Sequence, residues 1–332
     1  MAAREKDIAW QWVEQVTRPI LRLADSDYLD AVASRLHEAG VQDAMLRHDS
    51  GPLVDLLLRY SSLQGISDER AFAWDAQHGG VTHAAITAAL ASRPACPELK
   101  SYWHFRCGYR KGLGQCARPN HQAACPVPQH PLRKGLLNVL SYSLGLFVRD
   151  VCDGDLIAWI DDRLRQADPG RGVAGRAQAM RQALVEPLRS VHGYSYKLLN
   201  MSLAEILLGA DLGRERWVTT GESMLSVDTV VHNLLHRVGV LRRLGADHPL
   251  GPRCYGPGGC ATVIEELASR FDARTINPAF PQCFPRLVQS ALWSFGSAGE
   301  LNICNGNNID DSRRCQQCFC PASKMCARVQ LR

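Results

Sequence analysis

Apolar residues recur at helical spacing along most of the chain. Runs of alternating β-branched residues are nearly absent, so the pattern predicts an all-α protein whose helices each bury one face. Gly209 is expected to end one of these helices. The three clearest apolar stripes are Leu53, Leu56, Leu57 and Tyr60; Leu136, Leu140, Leu144, Phe147 and Val151; and Leu199, Leu203, Ile206 and Leu207.

Two segments break this pattern. From Arg93 to Pro131, Gly, Pro, Cys and His dominate, which predicts an insert held by something other than a hydrophobic core. From Gly251 to Gly259 the chain is rich in Pro and Gly and indicates a long connection. With 332 residues, 46% of them hydrophobic, the chain is long enough for two lobes. The predicted segments are an N-terminal helical extension (1–50), the start of a helical barrel (51–92), a Cys/His-rich basic insert (93–131), the barrel with a helical hairpin at 185–208 (132–240), and a cluster lobe with a cysteine loop at 304–326 (241–332).

The N-terminus and the cysteine content bear on cellular location. Four of the first seven residues are charged, and they lead into an amphipathic stretch, not into the apolar core of a signal peptide. No apolar window has the length of a membrane span. We therefore expect a cytoplasmic protein without a membrane partner. Because the cytosol keeps thiols reduced, the 13 cysteines favour metal binding over disulfides.

The formal charge of +5 is too small to identify a nucleic-acid partner, but the charges are unevenly distributed. From Leu99 to Arg149 there are eight Lys or Arg residues and no Asp or Glu, interleaved with aromatic residues. Such a block suits a phosphate backbone and stacked bases. A solvated basic face is an equally good interpretation of this block alone.

A tight turn followed by two reactive side chains is the most informative feature. A helix through Leu188 is predicted to enter a turn at Gly193, and a second helix follows directly. Such a turn directs backbone N–H groups and a helix N-terminus toward a phosphate oxygen.

Lys197 and Asp228 follow the turn. Cleavage of an N-glycosidic bond builds positive charge on the sugar, which a carboxylate stabilises, and a neutral amine can attack C1′ to form a Schiff base. The structural alternatives are an exposed helix lysine and a helix N-cap.

The sequences Val191-His192-Gly193-Tyr194-Ser195-Tyr196-Lys197 and Val227-Asp228-Thr229 resemble the hairpin of the endonuclease III branch of helix-hairpin-helix DNA glycosylases. The resemblance places Lys197 at the Schiff-base lysine and Asp228 at the catalytic aspartate. It implies a two-lobed all-α fold with double-stranded DNA in the cleft between the lobes, contacted by Gly193, Tyr194, Ser195 and His232. Ser195 stands where the family has a second hairpin glycine, and an inserted Gly213–Trp217 lengthens the interval between the two catalytic positions.

A second similarity to the family lies at Ser61-Ser62-Leu63-Gln64-Gly65-Ile66-Ser67-Asp68. An enzyme that extrudes a base must fill the space in the stack with a side chain. The resemblance makes Gln64 the residue for this role; the alternative is a surface glutamine at a helix end.

Five cysteines near the C-terminus suggest a metal site. Four thiolates on one loop can hold a four-iron cluster or a zinc ion. The resemblance favours a 4Fe–4S cluster, because the family carries one at this position, and its spacing matches Cys315 to Cys318 and Cys320 to Cys326. Whether Cys318 or Cys320 is the third ligand stays open. The five residues are Cys304, Cys315, Cys318, Cys320 and Cys326.

The insert contains a second group of cysteines. They are predicted to bind a zinc ion, because a segment without a hydrophobic core needs a cross-link. Buried apolar cysteines and a flap over the base pocket are the alternatives. The group comprises Cys96, Cys107, Cys116 and Cys125, with His104, His121 and His130 nearby. The four remaining cysteines, which lie apart, are interpreted as packing residues: Cys152, Cys254, Cys260 and Cys283.

Together these features predict a monomeric, nucleoid-associated DNA glycosylase that flips a damaged or modified base, with AP-lyase activity left open. The insert and the long loop after Gly209 resemble the α-glutamyl/putrescinyl thymine pyrophosphorylase-related offshoot of the family, which implies a hypermodified phage base and a role in antiviral defence. Two other classes remain. One is a base-modification transferase or pyrophosphorylase, and the other is a non-catalytic iron–sulfur DNA-binding protein.

Overall fold

The computed structural model describes residues 3–63, 68–91, 96–110, 112–123, 125–127, 135–305 and 310–331. Helices dominate this part of the chain, so the prediction of an all-α protein is confirmed. Its α-helices are α1 (Ala3–Leu21), α2 (Tyr28–Glu38), α3 (Val41–Arg47), α4 (Gly51–Ser61), α5 (Asp68–His78), α6 (His83–Ala91), α7 (Pro119–Gln122), α8 (Gly135–Asp150), α9 (Leu156–Ala167), α10 (Arg176–Leu188), α11 (Tyr196–Gly209), α12 (Glu215–Glu222), α13 (Thr229–Val238), α14 (Val240–Arg243), α15 (Cys260–Arg270) and α16 (Pro285–Gly296).

The sheet found in the described residues is a small antiparallel hairpin of β1 (Tyr109–Arg110) and β2 (Gln115–Cys116), with Tyr109 opposite Cys116. Short 3₁₀ helices add single turns at Pro97–Leu99, Tyr102–His104, Pro252–Tyr255 and Ala273–Thr275. Within the described ranges, no helix has both the length and the hydrophobicity needed to cross a bilayer.

The chain divides into two compact units, which we describe one at a time. Residues 29–221 form one unit, called the central unit here. Residues 1–28 and 222–332 form the other, called the terminal unit. The finer segment boundaries expected from the sequence stay predictions.

Helices α1, α13, α15 and α16 build the core of the terminal unit. The apolar residues of α13 follow the helical period: Val231, Leu234, Leu235 and Val238 are each at most 3% exposed. They pack in one cluster with apolar residues of α1, α15 and α16. Helix α13 is thus fixed along one face by the core.

Helices α8 and α11 lie in the interior of the central unit. Every residue from Leu137 to Val148 is buried, as is nearly every residue of α11 after its first turn. Helices that are apolar all round are typical of a protein interior. Gly209 is the last residue of α11, as predicted from the apolar stripe.

An ion network fixes the start of α10 in the central unit. The Arg176 guanidinium donates hydrogen bonds to Asp168 at 2.6 and 2.8 Å and to Glu215, and its side chain is only 10% exposed. Arg216 donates to the same Asp168 carboxylate at 2.8 Å. With two guanidinium groups beside it, the pKa of Asp168 lies far below its usual value.

The described part of the insert, 96–123 and 125–127, consists of 3₁₀ turns, the β hairpin and the one-turn helix α7. Its attachment to α8 is polar and aromatic: the Tyr102 N–H donates to Asp150 at 2.6 Å, and the Tyr102 ring meets the edge of Phe147.

Candidate functional site

The predicted turn between two helices lies between α10 and α11. Gly193 has a φ of +91°, and a Cβ there would lie 3.4 Å from the Leu140 side chain, so glycine suits both the backbone and the space. Ser195 has an extended backbone with a φ of −100°, and its Oγ accepts a hydrogen bond from the Leu198 N–H at 3.3 Å. The serine at this position therefore acts as the N-cap of α11, and the backbone does not need a second glycine.

The turn leaves donors available for an anion. Within the described residues of the central unit, the N–H groups of Gly193 and Ser195 make no hydrogen bond. Tyr194 differs from the prediction, because its ring is 9% exposed and its hydroxyl donates to the Leu57 carbonyl at 3.4 Å. Burial removes the Tyr194 side chain from contact with DNA.

Lys197 is the second residue of α11 and is half-buried. Inside the central unit, its ammonium group makes no hydrogen bond or ion pair with a described residue. The position agrees with the structural alternative of a first-turn helix lysine. It also leaves the amine unoccupied, as a nucleophile requires.

A cavity of about 570 Å³ adjoins the turn. Ser190 and His192 of the turn line one side, and Tyr102, Trp103, Phe105 and Arg106 of the insert line another. The Tyr102 hydroxyl and Ser190 Oγ are 2.5 Å apart, so the insert and the turn are hydrogen-bonded. Aromatic faces beside a guanidinium group can stack on a planar ring.

Asp228 lies in the terminal unit, where it is the N-cap of α13. Its Oδ1 accepts a hydrogen bond from the Val231 N–H at 2.9 Å. Its Oδ2 makes no hydrogen bond to a described residue of that unit. Asp228 is therefore an N-cap, as the structural alternative proposed, and its second carboxylate oxygen, Oδ2, is not used by the cap. Lys197 and Asp228 belong to different units.

One turn after Asp228, His232 takes part in a buried group of two histidines and two cysteines. Its Nδ1 lies 3.4 Å from Cys260 Sγ and 3.7 Å from Cys254 Sγ, and His248 Nε2 lies 3.4 Å from Cys260 Sγ. The four ligand atoms all lie within 4.8 Å of one another. The group could hold a metal ion.

These positions correct two expectations. Cys254 and Cys260 are not isolated packing residues, because each sulfur faces a histidine nitrogen. The His232 side chain is 5% exposed and directed at the cysteines, so it is not available to DNA. The sequence analysis missed this group because it grouped the cysteines with one another and did not consider His232 and His248 as partners of Cys254 and Cys260. The irregular Gly251–Gly259 segment could have indicated a metal site, because, like the insert, it has no hydrophobic core of its own.

Four of the five C-terminal cysteines line one cavity together with Arg237: Cys304, Cys315, Cys320 and Cys326. Cys318 is exposed and lies outside this lining. Burial, with a smaller contribution from the neighbouring thiols, raises the pKa of Cys304 to about 12. The Arg328 N–H lies 3.4 Å from Cys326 Sγ, as a donor to the sulfur.

The thiols of Cys96, Cys107, Cys116 and Cys125 also share one neighbourhood. Burial raises the pKa of Cys107 to about 11, and the thiols of the other three add to the effect. Backbone N–H groups approach two of the sulfurs: Tyr109 N lies 3.5 Å from Cys107 Sγ and Arg118 N 3.4 Å from Cys116 Sγ.

Of the insert histidines, His121 has its Nδ1 3.8 Å from Cys96 Sγ, and His104 is exposed. His130 and Gln64 lie outside the described residues. Cys152 is buried and Cys283 exposed.

In comparisons with known proteins, no family model matches the chain, and no curated protein or solved structure is significantly similar to it.

Proposed function

We propose that this protein is a DNA glycosylase that removes a modified base, with Lys197 as nucleophile and Asp228 as the stabilising carboxylate. The observation on which this depends most is the α10–turn–α11 hairpin with Lys197 in the first turn of its second helix. The two unbonded N–H groups at Gly193 and Ser195 support the binding of a phosphate oxygen there. Gly193 and Ser195 precede Lys197 by four and two residues, so a phosphate bound at this turn would bring the DNA backbone close to Lys197.

The proposed reaction uses these two side chains, the substrate and water. The neutral Lys197 Nζ attacks C1′ of the flipped nucleotide, the C1′–N bond breaks, and its electron pair leaves with the base, which takes a proton from water. The sugar ring then opens at O4′, which takes the proton released by Nζ, and a Schiff base forms. Asp228 Oδ2 stabilises the positive charge on the sugar while the first bond breaks.

The C-terminal thiols fit a 4Fe–4S cluster in this proposal. Four cysteine sulfurs lining one cavity are the usual ligand set of such a cluster, and the exposed Cys318 is left out. Cys304, Cys315, Cys320 and Cys326 would hold it. When bound, the cluster would fix the 304–326 loop as a structural cross-link. Basic residues of that loop, among them Arg313 and Lys324, would then contact phosphate.

The insert thiols are the proposed ligands of a zinc ion. Four cysteines in a segment of short turns have the composition of the closed ligand sets of structural zinc sites, but the four sulfurs are not gathered as closely as the ligand atoms of the His232 group. Cys96, Cys107, Cys116 and Cys125 would hold it, and the site would keep the aromatic residues of the insert at the cavity.

The cavity beside the hairpin has room for a bulky base; Lys197 and Asp228 are not among its lining residues. Small-molecule sites commonly measure roughly 300–1,000 Å³, and the cavity beside the hairpin, at about 570 Å³, is in that range. Its aromatic lining suits a planar ring, and Arg106 suits a polar or anionic substituent on that ring. Double-stranded DNA with a hypermodified phage base is therefore the proposed substrate, with phage defence as the role.

Base release from phage DNA tests the proposal. The full chain is incubated with genomic DNA containing a hypermodified base, with unmodified DNA, and with a duplex containing thymine glycol, and free bases are quantified by mass spectrometry. We expect release from modified phage DNA, with loss in Lys197→Gln and Asp228→Asn. Release from thymine glycol alone would contradict the phage substrate. A biological effect that survives both substitutions would indicate a non-catalytic DNA-binding protein.

A further inference from the structure

The buried group of His232, His248, Cys254 and Cys260 has the dimensions of an occupied metal site. A tetrahedral zinc ion with Zn–S bonds of about 2.3 Å and Zn–N bonds of about 2.0 Å holds its sulfur and nitrogen ligands about 3.5 Å apart. Three of the four sulfur–nitrogen distances in the group are 3.4, 3.7 and 3.4 Å. A single thiol–imidazole hydrogen bond also gives such a distance, but here four ligand atoms from four residues lie within 4.8 Å of one another.

The histidine rings are oriented as ligands. His248 Nδ1 lies 2.6 Å from the Ala246 carbonyl oxygen, so this nitrogen carries the proton and donates to that oxygen. Nε2 is then left with its lone pair, and it is the atom that faces Cys260. A ligating histidine usually has its second ring nitrogen fixed by such a carbonyl.

The composition and burial of the group identify the ion and its role. Two thiolates and two imidazoles are a tetrahedral ligand set of zinc. A two-iron Rieske cluster has the same four ligands, but its two cysteines bind one iron and its two histidines bind the other. Here Cys260 Sγ lies 3.4 Å from a nitrogen of each histidine, which fits ligands of one single ion. The side chains of Cys254 and Cys260 are fully buried, and His232 and His248 are 5% and 8% exposed. Four protein ligands in a closed site leave no position for water or substrate, so the ion is structural.

The backbone between the two cysteines is folded to bring them together. The Cys254 N–H donates to the Gly251 carbonyl at 3.0 Å, and the Gly259 N–H donates to the Gly256 carbonyl at 2.9 Å. A Cβ at Gly259 would collide with the Arg253 carbonyl oxygen, so only glycine permits this close approach. The segment between α14 and α15 therefore obtains its order from turns and from the four ligands.

The site bears on Asp228 in two ways. His232 lies one helical turn after Asp228 on α13, so a metal bound to His232 fixes the first turn of that helix. Tyr255 directly follows the ligand Cys254, and its hydroxyl is hydrogen-bonded to the backbone of Val227, the neighbour of Asp228.

We infer that His232, His248, Cys254 and Cys260 bind a structural zinc ion that holds the 246–260 segment against α13 and thereby orients Asp228. The orienting role depends on the proposed glycosylase function, whereas zinc binding does not.

Zinc analysis of the purified full chain and its variants tests the inference. His248→Ala and Cys254→Ala should each contain one zinc atom per chain less than the wild type, with the same iron content. His248→Cys should retain the zinc, because a thiolate can replace the imidazole. The controls are His236→Ala, four residues further along the same helix, and Cys283→Ala, an exposed cysteine of the same unit. Neither control should change the zinc content.

Equal zinc content in the wild type and in the ligand variants would overturn the inference. So would a Cys254–Cys260 disulfide found by peptide mapping of the native protein. If the ligand variants do not fold, X-ray absorption at the zinc edge of the wild-type protein tests the inference, because it identifies the atoms bound to zinc and their distances. Sulfur at about 2.3 Å with nitrogen at about 2.0 Å supports the site, and a shell of sulfur alone overturns it. These readouts do not require activity, so they distinguish a missing zinc site from a wrong assignment of Lys197.

Discussion

The Tyr255 hydroxyl makes two hydrogen bonds to the backbone of Val227. It accepts one from the Val227 N–H at 2.9 Å and donates one to the Val227 carbonyl at 3.3 Å. Val227 as a whole residue is 4% exposed, so its backbone has little access to water. One residue later, Asp228 starts α13 as its N-cap. Tyr255 is therefore a positioning residue for Asp228 in the proposed reaction.

Replacing Tyr255 tests this positioning role. Tyr255→Phe removes the hydroxyl and leaves two buried backbone groups of Val227 without their partner, which costs about 1–3 kcal/mol of the free energy of unfolding. We expect kcat for base release to fall while KM and zinc content stay near the wild-type values. Urea denaturation, steady-state kinetics and metal analysis measure the three quantities.

Tyr196→Phe is the matched control for stability, because the Tyr196 hydroxyl is bonded to Arg189 and Glu186 at exposed positions. Its free energy of unfolding should change by at most about 1 kcal/mol. An unchanged kcat in Tyr255→Phe would show that Tyr255 does not position Asp228.

The C-terminal cysteines give a matched pair for the iron–sulfur assignment. Cys320 lines the thiol cavity and Cys318, two residues away, is exposed. Cys320→Ser should lose the iron and the visible absorption of the cluster, and Cys318→Ser should keep both. Iron analysis and an absorption spectrum of each variant suffice. If Cys318→Ser loses the cluster and Cys320→Ser retains it, the assignment of ligands is wrong.

The insert is expected to bind its own zinc ion. Cys125→Ser removes one of the four thiols of the insert, and we expect one zinc atom per chain to be lost with no change in iron. Cys152→Ser is the control, since this buried cysteine lies in the same unit. Zinc analysis of both variants is the measurement. A wild-type zinc content in Cys125→Ser would favour the alternative of buried apolar cysteines.

The Asp168 carboxylate should make stability depend on pH. Its hydrogen bonds from Arg176 hold its pKa below the unfolded-state value of about 3.9. Its contribution is therefore fully present above about pH 4 and is lost as the pH falls through the lower folded-state pKa. Asp168→Asn should lower the free energy of unfolding by about 1–3 kcal/mol at pH 7, because Arg176 loses one of its two carboxylate partners and keeps Glu215.

Urea denaturation at a series of pH values measures this effect. The difference between wild type and Asp168→Asn should be constant from neutral pH to about pH 5 and should narrow below about pH 4. Asp162→Asn is the control, because its pair with Arg165 is exposed and contributes at most about 0.5 kcal/mol. A difference that grows as the pH falls would contradict the role given to Asp168.

Local sequence patterns predicted the features that depend on neighbouring residues. The apolar period gave the helices, and Gly193 marked a turn that the structure places between α10 and α11 with a positive φ. Asp228 was recognisable as an N-cap from its place before Val230 and Val231. Such features are determined by backbone preferences and by one turn of helix, so a single sequence is sufficient.

The metal ligands show where sequence reasoning ends. His232 and His248 are separated by 15 residues, and they meet only because the segment before α15 folds back on α13. In the same way, the choice of Cys320 over Cys318 depends on the path of the loop, since both are near the expected spacing. Contacts of this kind are set by tertiary packing, which the spacing of residues does not reveal.

Borohydride trapping on DNA that contains an abasic site tests the central claim, that Lys197 is the nucleophile, most directly. The abasic sugar offers C1′ to the amine without the unidentified base. We predict a covalent protein–DNA adduct with the wild type and with Cys318→Ser, absent in Lys197→Gln, with the linkage mapped to Lys197 by mass spectrometry. No adduct with the wild type, or an equal adduct with Lys197→Gln, would contradict the assignment.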